Sequence, residues 1–176
     1  GRNNMDNFFK TGLMQTNNLS ITGGNESGNF RVSASNSYQK GQVPNTDLNI
    51  YGLNVSGGYK LSDKISVDAS LNYGRQESEN FPSLGYGSQS YLYSIMWLGA
   101  NVDLNEMEDY WEPGQRDFQQ LQYNKQWFNN PHFMANEYNQ GWYRNSSFGQ
   151  VGINYKIAPG LDFKVKSGFS YYSVLS

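Results

Sequence analysis

"YGLNVSGGYKLSDKISVDASLNYG", residues 51–74, alternates along its whole length. Tyr51, Leu53, Val55, Gly57, Tyr59 and Leu61 fall on one side, against Gly52, Asn54, Ser56, Gly58 and Lys60 on the other. Successive side chains of an extended chain point to opposite faces, so a period of two over this many residues predicts a strand. After a short turn at Ser62, Asp63 and Lys64 the beat resumes with Ile65, Val67, Ala69, Leu71 and Tyr73 against Ser66, Asp68, Ser70, Asn72 and Gly74. Two long strands joined by so short a turn make a hairpin.

The same pattern recurs on either side. Upstream, Phe30, Val32, Ala34 and Tyr38 alternate with Arg31, Ser33, Ser35 and Ser37, preceded by a less regular run, Leu13 to Gly23, with its clearest beat at Leu19 and Ile21. Downstream, Gly149, Val151, Ile153, Tyr155 and Ile157 alternate with Gln150, Gly152, Asn154 and Lys156, and Ala158-Pro159-Gly160 makes a turn. Leu161, Phe163, Val165, Phe169 and Tyr171 then alternate with Asp162, Lys164, Lys166, Gly168 and Ser170. Six strands are predicted.

Composition bounds the class. Only 37% of the 176 residues are hydrophobic, yet 14 Tyr, 10 Phe and 4 Trp are too many aromatics for a disordered chain. Nineteen Gly with many Asn and Ser favour strands and turns. A net charge of -2 with no Lys/Arg cluster argues against nucleic-acid binding. The absence of cysteine removes disulfides, thiolate metal sites and thiol nucleophiles. No apolar run has the length of a membrane helix, and Gly1 to Asn7 lack the pattern of a targeting signal. The chain opens without Met and stops in a strand-like run, Gly168 to Ser176, so it is read as part of a longer protein.

Three features turn alternation toward a membrane barrel. The clean runs are about 9–11 residues, the span a tilted strand needs to cross a bilayer, whereas soluble strands average about 5–6. The polar face carries Arg31, Lys60, Asp68, Lys156, Asp162, Lys164 and Lys166 among Ser, Asn and Gly, which suits a wet lumen or a solvent-facing sheet surface. Tyr38, Tyr51, Tyr59, Tyr73 and Tyr155 sit at the ends of apolar faces, where interfacial girdles belong. Short turns at 23–29, 62–64 and 158–160 also alternate with long connections at 39–49 and 75–143, the asymmetry of periplasmic turns and extracellular loops. The expected fold class is therefore all-β: a segment of a large antiparallel transmembrane β-barrel, with 75–143 as one long extracellular loop. Six strands cannot close a barrel whose smallest single-chain form has about eight.

Thr11-Gly12, Gln15, "NLSITGG" at 18–24 and "NFRVSASNSYQKG" at 29–41 resemble the early barrel of SusC/RagA-type TonB-dependent transporters of Bacteroidetes. "VDLNEMEDY" at 102–110 and "NNPHFMANEYNQGWYRNSSFGQVGINYKI" at 129–157 resemble that family's long loop and returning strand. Each motif is a loose strand-and-turn pattern, and their order along nearly the whole chain carries the likeness. The resemblance implies a barrel of about 22 strands, an upstream plug domain and a SusD-like surface lipoprotein over the mouth. It further implies TonB-powered import of oligosaccharide or peptide through the outer membrane, with outer-membrane lipid around the barrel. The plug, the TonB box and the last strands have no counterpart in these residues.

The 75–143 connection holds all four Trp, more than half of the aromatics and nine of the 15 acidic residues, so it is expected to be folded and functional. Leu92, Ile95, Met96 and Gly99 are spaced for a short amphipathic helix at about 88–98, and Pro113-Gly114 marks a turn. The aromatics have two readings: a wall for sugar rings or peptides, or the core of the loop itself or a contact for a lid. A connection this long must bury something to be ordered, which favours the second. For a binding subset, Tyr110, Trp111, Trp127 and Phe128 sit beside turn and polar residues.

Other constellations carry less chemistry. "DLNEMED" at 103–109 has Glu108 where a calcium loop needs Gly. His132 is the only histidine and lacks the partners of a metal site or a nucleophile-base pair, so it reads as a packing residue. Acidic pairs in an acidic loop indicate no glycosidase, and Gly85-Tyr86-Gly87 lacks the context of a nucleotide loop. Neither an enzyme, a metal nor a cofactor is expected. Lys156, Lys164 and Lys166 are expected to face the lumen and pair with plug carboxylates. The competing class is a soluble or surface-attached β-rich glycan-binding or adhesin module.

Overall fold

The computed structural model describes residues 3–81, 83 and 85–176, with Pro82 and Leu84 of the long connection outside that set. Six strands form one antiparallel sheet in chain order: β1 (Leu13–Gly24), β2 (Gly28–Lys40), β3 (Asp47–Lys60), β4 (Ile65–Ser78), β5 (Trp142–Ala158) and β6 (Leu161–Leu175). A short helix α1 (Asn4–Phe8) precedes the sheet. Helix α2 (Tyr91–Met96), a 3-10 turn (Leu104–Met107) and helix α3 (Pro131–Glu137) lie between β4 and β5. No helix among the described residues is long and apolar enough to cross a membrane, which says nothing of strands.

The three tight turns have local causes. Asn25 Oδ1 accepts from the Ser27 and Gly28 N–H groups at 2.9 Å each, and Ser62 Oγ accepts from those of Lys64 and Ile65. At Pro159-Gly160 the proline fixes its own φ and Gly160 takes φ 80°, the pairing that a type II turn requires. All three turns lie at one end of the meander; α1, the 41–46 loop and the long connection lie at the other.

Register separates the faces cleanly. One row reads Ile21, Val32, Val55, Leu71, Gly149, Phe169 across the six strands, and the next reads Leu19, Ala34, Leu53, Tyr73, Ser147, Tyr171. The opposite face reads Ser20, Ser33, Asn54, Asn72, Phe148, Ser170, with the Asn54 and Asn72 side chains hydrogen-bonded across β3 and β4. On the apolar face three glycines oppose aromatic rings: Gly23 and Phe30, Gly28 and Tyr59, Gly149 and Phe169. A Cβ at Gly149 would lie 2.4 Å from Phe169 Cε1, so the ring occupies the space that glycine leaves open.

The strands run 12 to 17 residues, longer than the alternation alone indicated. The 75–143 loop is correspondingly shorter: Arg75 to Ser78 belong to β4 and pair with Asn145 to Trp142 of β5. Beyond Tyr73 both faces turn polar or aromatic, so the ladder continues without a hydrophobic beat to announce it. The predicted helix at 88–98 is present as Tyr91–Met96 with a shifted inner face. Tyr91, Ser94 and Ile95 are buried while Met96 is exposed, because Ser90 caps the helix and turns Tyr91 inward. Helices α1 and α3 carry no strong periodicity and were not expected.

The hydrophobic core lies off the sheet. Phe8, Val43, Tyr91, Ile95, Leu104, Met107 and Ala135 form one buried cluster that joins α1, the β2–β3 loop and the long connection into a cap. Among the described residues nothing layers over the apolar sheet face, and Leu19, Ile21, Phe169 and Tyr171 are all well exposed.

Candidate functional site

The cap is stitched by buried amides. Asn130 is fully buried; its Oδ1 accepts from the His132 N–H at 2.9 Å to cap α3, and its Nδ2 donates to the carbonyls of Met107 (3.0 Å) and Leu121 (2.9 Å). Asn80 Nδ2 donates to the carbonyls of Asn45 and Ala135 at 2.9 Å each, tying the connection to the β2–β3 loop. Asn4 bridges α1 to the segment before the 3-10 turn, donating to Val102 O and accepting from the Leu104 N–H, both at 3.0 Å. Backbone polar groups that strand pairing cannot reach are satisfied this way.

The cap's aromatics fall into two groups. In the first, Phe128 stacks on Tyr123 (5.6 Å, 11°) and on Trp97 (6.4 Å, 20°), with Tyr93 against it at 5.5 Å and Tyr86 against Tyr93 at 4.7 Å. Tyr86 and Trp97 remain 88% and 58% exposed, so the stack shows aromatic faces to solvent. In the second, Phe133 sits among Tyr110 (6.0 Å), Trp111 (5.3 Å) and Tyr138 (5.9 Å). A small hairpin holds this group: Leu121 N–H donates to Tyr110 O, Glu112 N–H to Gln119 O, and the chain turns at Pro113-Gly114 with Gly114 at φ 74°.

The four residues singled out by sequence are therefore not one site. Tyr110 and Trp111 touch each other and Phe133; Phe128 belongs to the other stack. Trp127 is 71% exposed on a turn closed by Asn124 Oδ1 and makes no ring contact among the described residues. Tyr86 and Trp97, the exposed part of the wall, and the half-buried Tyr93 between them were missed; the i, i+4 spacing of Tyr93 and Trp97 was the available signal.

Tyr93, Tyr110 and Tyr123 are each pushed toward the neutral phenol. Burial first, then the Glu137 carboxylate accepting from Tyr110 Oη at 2.8 Å, raises Tyr110. Burial raises Tyr123, which donates to Ser94 O at 2.7 Å. Tyr93 is raised chiefly by its hydrogen bond with Tyr86. Amide-bearing Asn124, Gln126 and Asn129 lie in the same stretch of chain as Phe128. Flat rings among amides and hydroxyls can take C–H faces and hydroxyls of a sugar, or peptide groups. Below the cap, a cleft of about 490 Å³ opens between it and the strand ends, lined by Phe9, Met14, Val43, Leu48, Phe81 and Tyr91 among others.

Among the described residues no three His, Cys, Asp or Glu side chains group to hold a metal ion. Lys156, Lys164 and Lys166 share the polar sheet face, opposite Asp162, Asn154 and Gly152. No model of a known protein family matches the chain, and no curated protein matches it.

Proposed function

We propose that the chain is part of the wall of an outer-membrane β-barrel importer, with residues 79–141 as its extracellular cap. One observation carries this reading: across the middle of the sheet every charged side chain stands on one face. Between Leu61, just past the end of β3, and Tyr51, and between Leu161 and Tyr171 on β6, the apolar face has no charge, while Arg31, Lys60, Asp68, Lys164 and Lys166 face the other way. Ten residue steps at about 3.3 Å, tilted by about 40°, rise about 25 Å, the height of the lipid-facing band of a barrel. Tyr51, Tyr73 and Tyr171 stand at the cap end of the band, and Tyr155 and Phe163 near the turn end. The open ladders of β1 and β6 call for further strands, because a long unpaired edge is a liability that a closed barrel removes.

The order of motifs noted above adds the rest of the reading. A SusD-like surface lipoprotein would meet the cap, TonB would supply energy, and oligosaccharide or peptide would be the cargo. The polar-face lysines would meet carboxylates of a plug. Single cysteines carrying nitroxides on Leu53, Val55, Val67 and Leu71, against Asn54, Ser56, Ser70 and Asn72, test the location in membranes. The first set should sense lipid and the second water. If both sets avoid lipid, the sheet belongs to a soluble binding module and the aromatic wall becomes its site.

A further inference from the structure

We propose that His132 is an acid-operated latch: neutral, it holds helix α1 in the cap; charged, it releases α1 and opens the cleft beneath. The inference concerns the cap alone and does not rest on the membrane reading. Helix α1 has five residues and cannot hold itself together in water. It is kept by Phe8, fully buried, whose ring stacks on Tyr91 at 5.7 Å and meets the His132 ring edge-on at 5.1 Å. Phe9, the residue that ends the helix, packs against the same Tyr91 and lines the 490 Å³ cleft, so α1 anchors the core through Phe8 and sets the position of a cleft-lining ring.

His132 is 4% exposed, and its Nε2 has no hydrogen-bond partner. A proton added there would create a buried charge against Phe8 with no acceptor for the new N–H. Burial accordingly pushes the imidazole below its ordinary value; the nearby Glu108 and a hydrogen bond with the Leu104 backbone oppose that, and Lys10 reinforces it. Each packed element contributes few other charges. Lys10 follows α1 and Glu108 follows the 3-10 turn, where the two pair at 3.8 Å with largely exposed side chains, so Glu108 is screened and shared. Asp6 on α1 and Glu106 on the 3-10 turn are exposed, α2 contributes only neutral phenols, and Glu137 of α3 accepts from Tyr110. No buried carboxylate among the described residues waits to neutralise an imidazolium.

The sign follows from the lowered value. Above about pH 6.5 both the latched and released states hold neutral imidazole, and the latch is at full strength. As the pH falls below that, the released state takes up the proton first. Each pH unit down to the latched value then favours release by about tenfold. The Phe8 stack on Tyr91, the Lys10 N–H bond to Gln42 O (2.7 Å), the Lys10–Glu108 pair and the Asn4 bridge are what remains to be broken.

Hydrogen exchange of the intact protein tests this at about pH 8 and about pH 5, with rates corrected for intrinsic chemistry. Amides of residues 5–9 and 103–108 should open faster at the lower pH, by at most about thirtyfold, and His132→Phe, which fills the space without a proton, should abolish the change. An unchanged wild type, or a His132→Phe protein that keeps the step, overturns the latch. Should the variant lose its cap, the imidazole resonance of the wild type decides. His132 is the chain's only histidine. A midpoint below about 6.5 with concurrent shifts at Phe8 supports the latch, and a midpoint at or above that overturns it.

Discussion

Asn130 does more for the cap than any apolar side chain of its size could. Its carboxamide spans three chain segments with three hydrogen bonds and is sealed from water. Asn130→Ala removes the helix cap, worth about 1 kcal/mol, and strands two buried carbonyls at about 1–3 kcal/mol each. The expected loss is about 3–7 kcal/mol, seen as cleavage of the cap by protease at a concentration that spares the wild type. A change below about 0.5 kcal/mol would mean that water replaces the amide and that the hub is dispensable. Asn-Pro at Ncap and N1 is a helix-start signature, so α3 was legible here in principle. What hid it was length: seven residues give no periodicity, and the segment read as a loop around a packing histidine. That His132 is buried was inferable; that its partner is Phe8, far away in sequence, was not.

Strands carry their own proof in register, and the hairpins were legible because each strand repeats one binary choice many times. Turn chemistry agreed with it at Asn25, Ser62 and Gly160. Strand ends were not legible, since Arg75 to Ser78 and their partners Trp142 to Asn145 are held by backbone pairing and by side chains such as Arg75 over Tyr143. Leu53 and Asn54, adjacent on β3, allow the faces to be compared at one depth. Leu53→Lys should destabilise the inserted protein by about 2–4 kcal/mol, and Asn54→Lys by less than about 1 kcal/mol, in urea titrations from lipid vesicles. Equal effects would show that both faces meet the same medium, which no barrel wall does. Opposite ordering would place the polar face against the apolar phase and invert the proposed orientation of the sheet.

At the scale of the whole molecule, sheet and cap obey different physics. The cap has a core, buried amides and neutral phenols; the sheet has ladders and an uncovered apolar face, so it depends on what surrounds it. The two meet only at one end, where Ser78 stands opposite Trp142 as the last rung between β4 and β5. Residues 79–141 can therefore be replaced by a two- to four-residue turn of about hairpin length without stretching either strand. Shortening the loop about sixteenfold also lowers the entropy of closing it, by roughly 2 kcal/mol. The excised protein should then assemble in the membrane as well as the parent, with the same resistance to unfolding in cold SDS, while capture of cargo is lost. Two residual costs temper this: α1 loses the pocket for Phe8, and the β2–β3 loop loses Asn80. Both lie at the cap end, outside the band, and should appear as fraying of β1 and β2 near Leu13 and Lys40 and nowhere lower. If excision instead prevents assembly, the cap is the nucleus on which the sheet forms, and the sheet is not the self-standing wall that the charge-free middle of its apolar face implies.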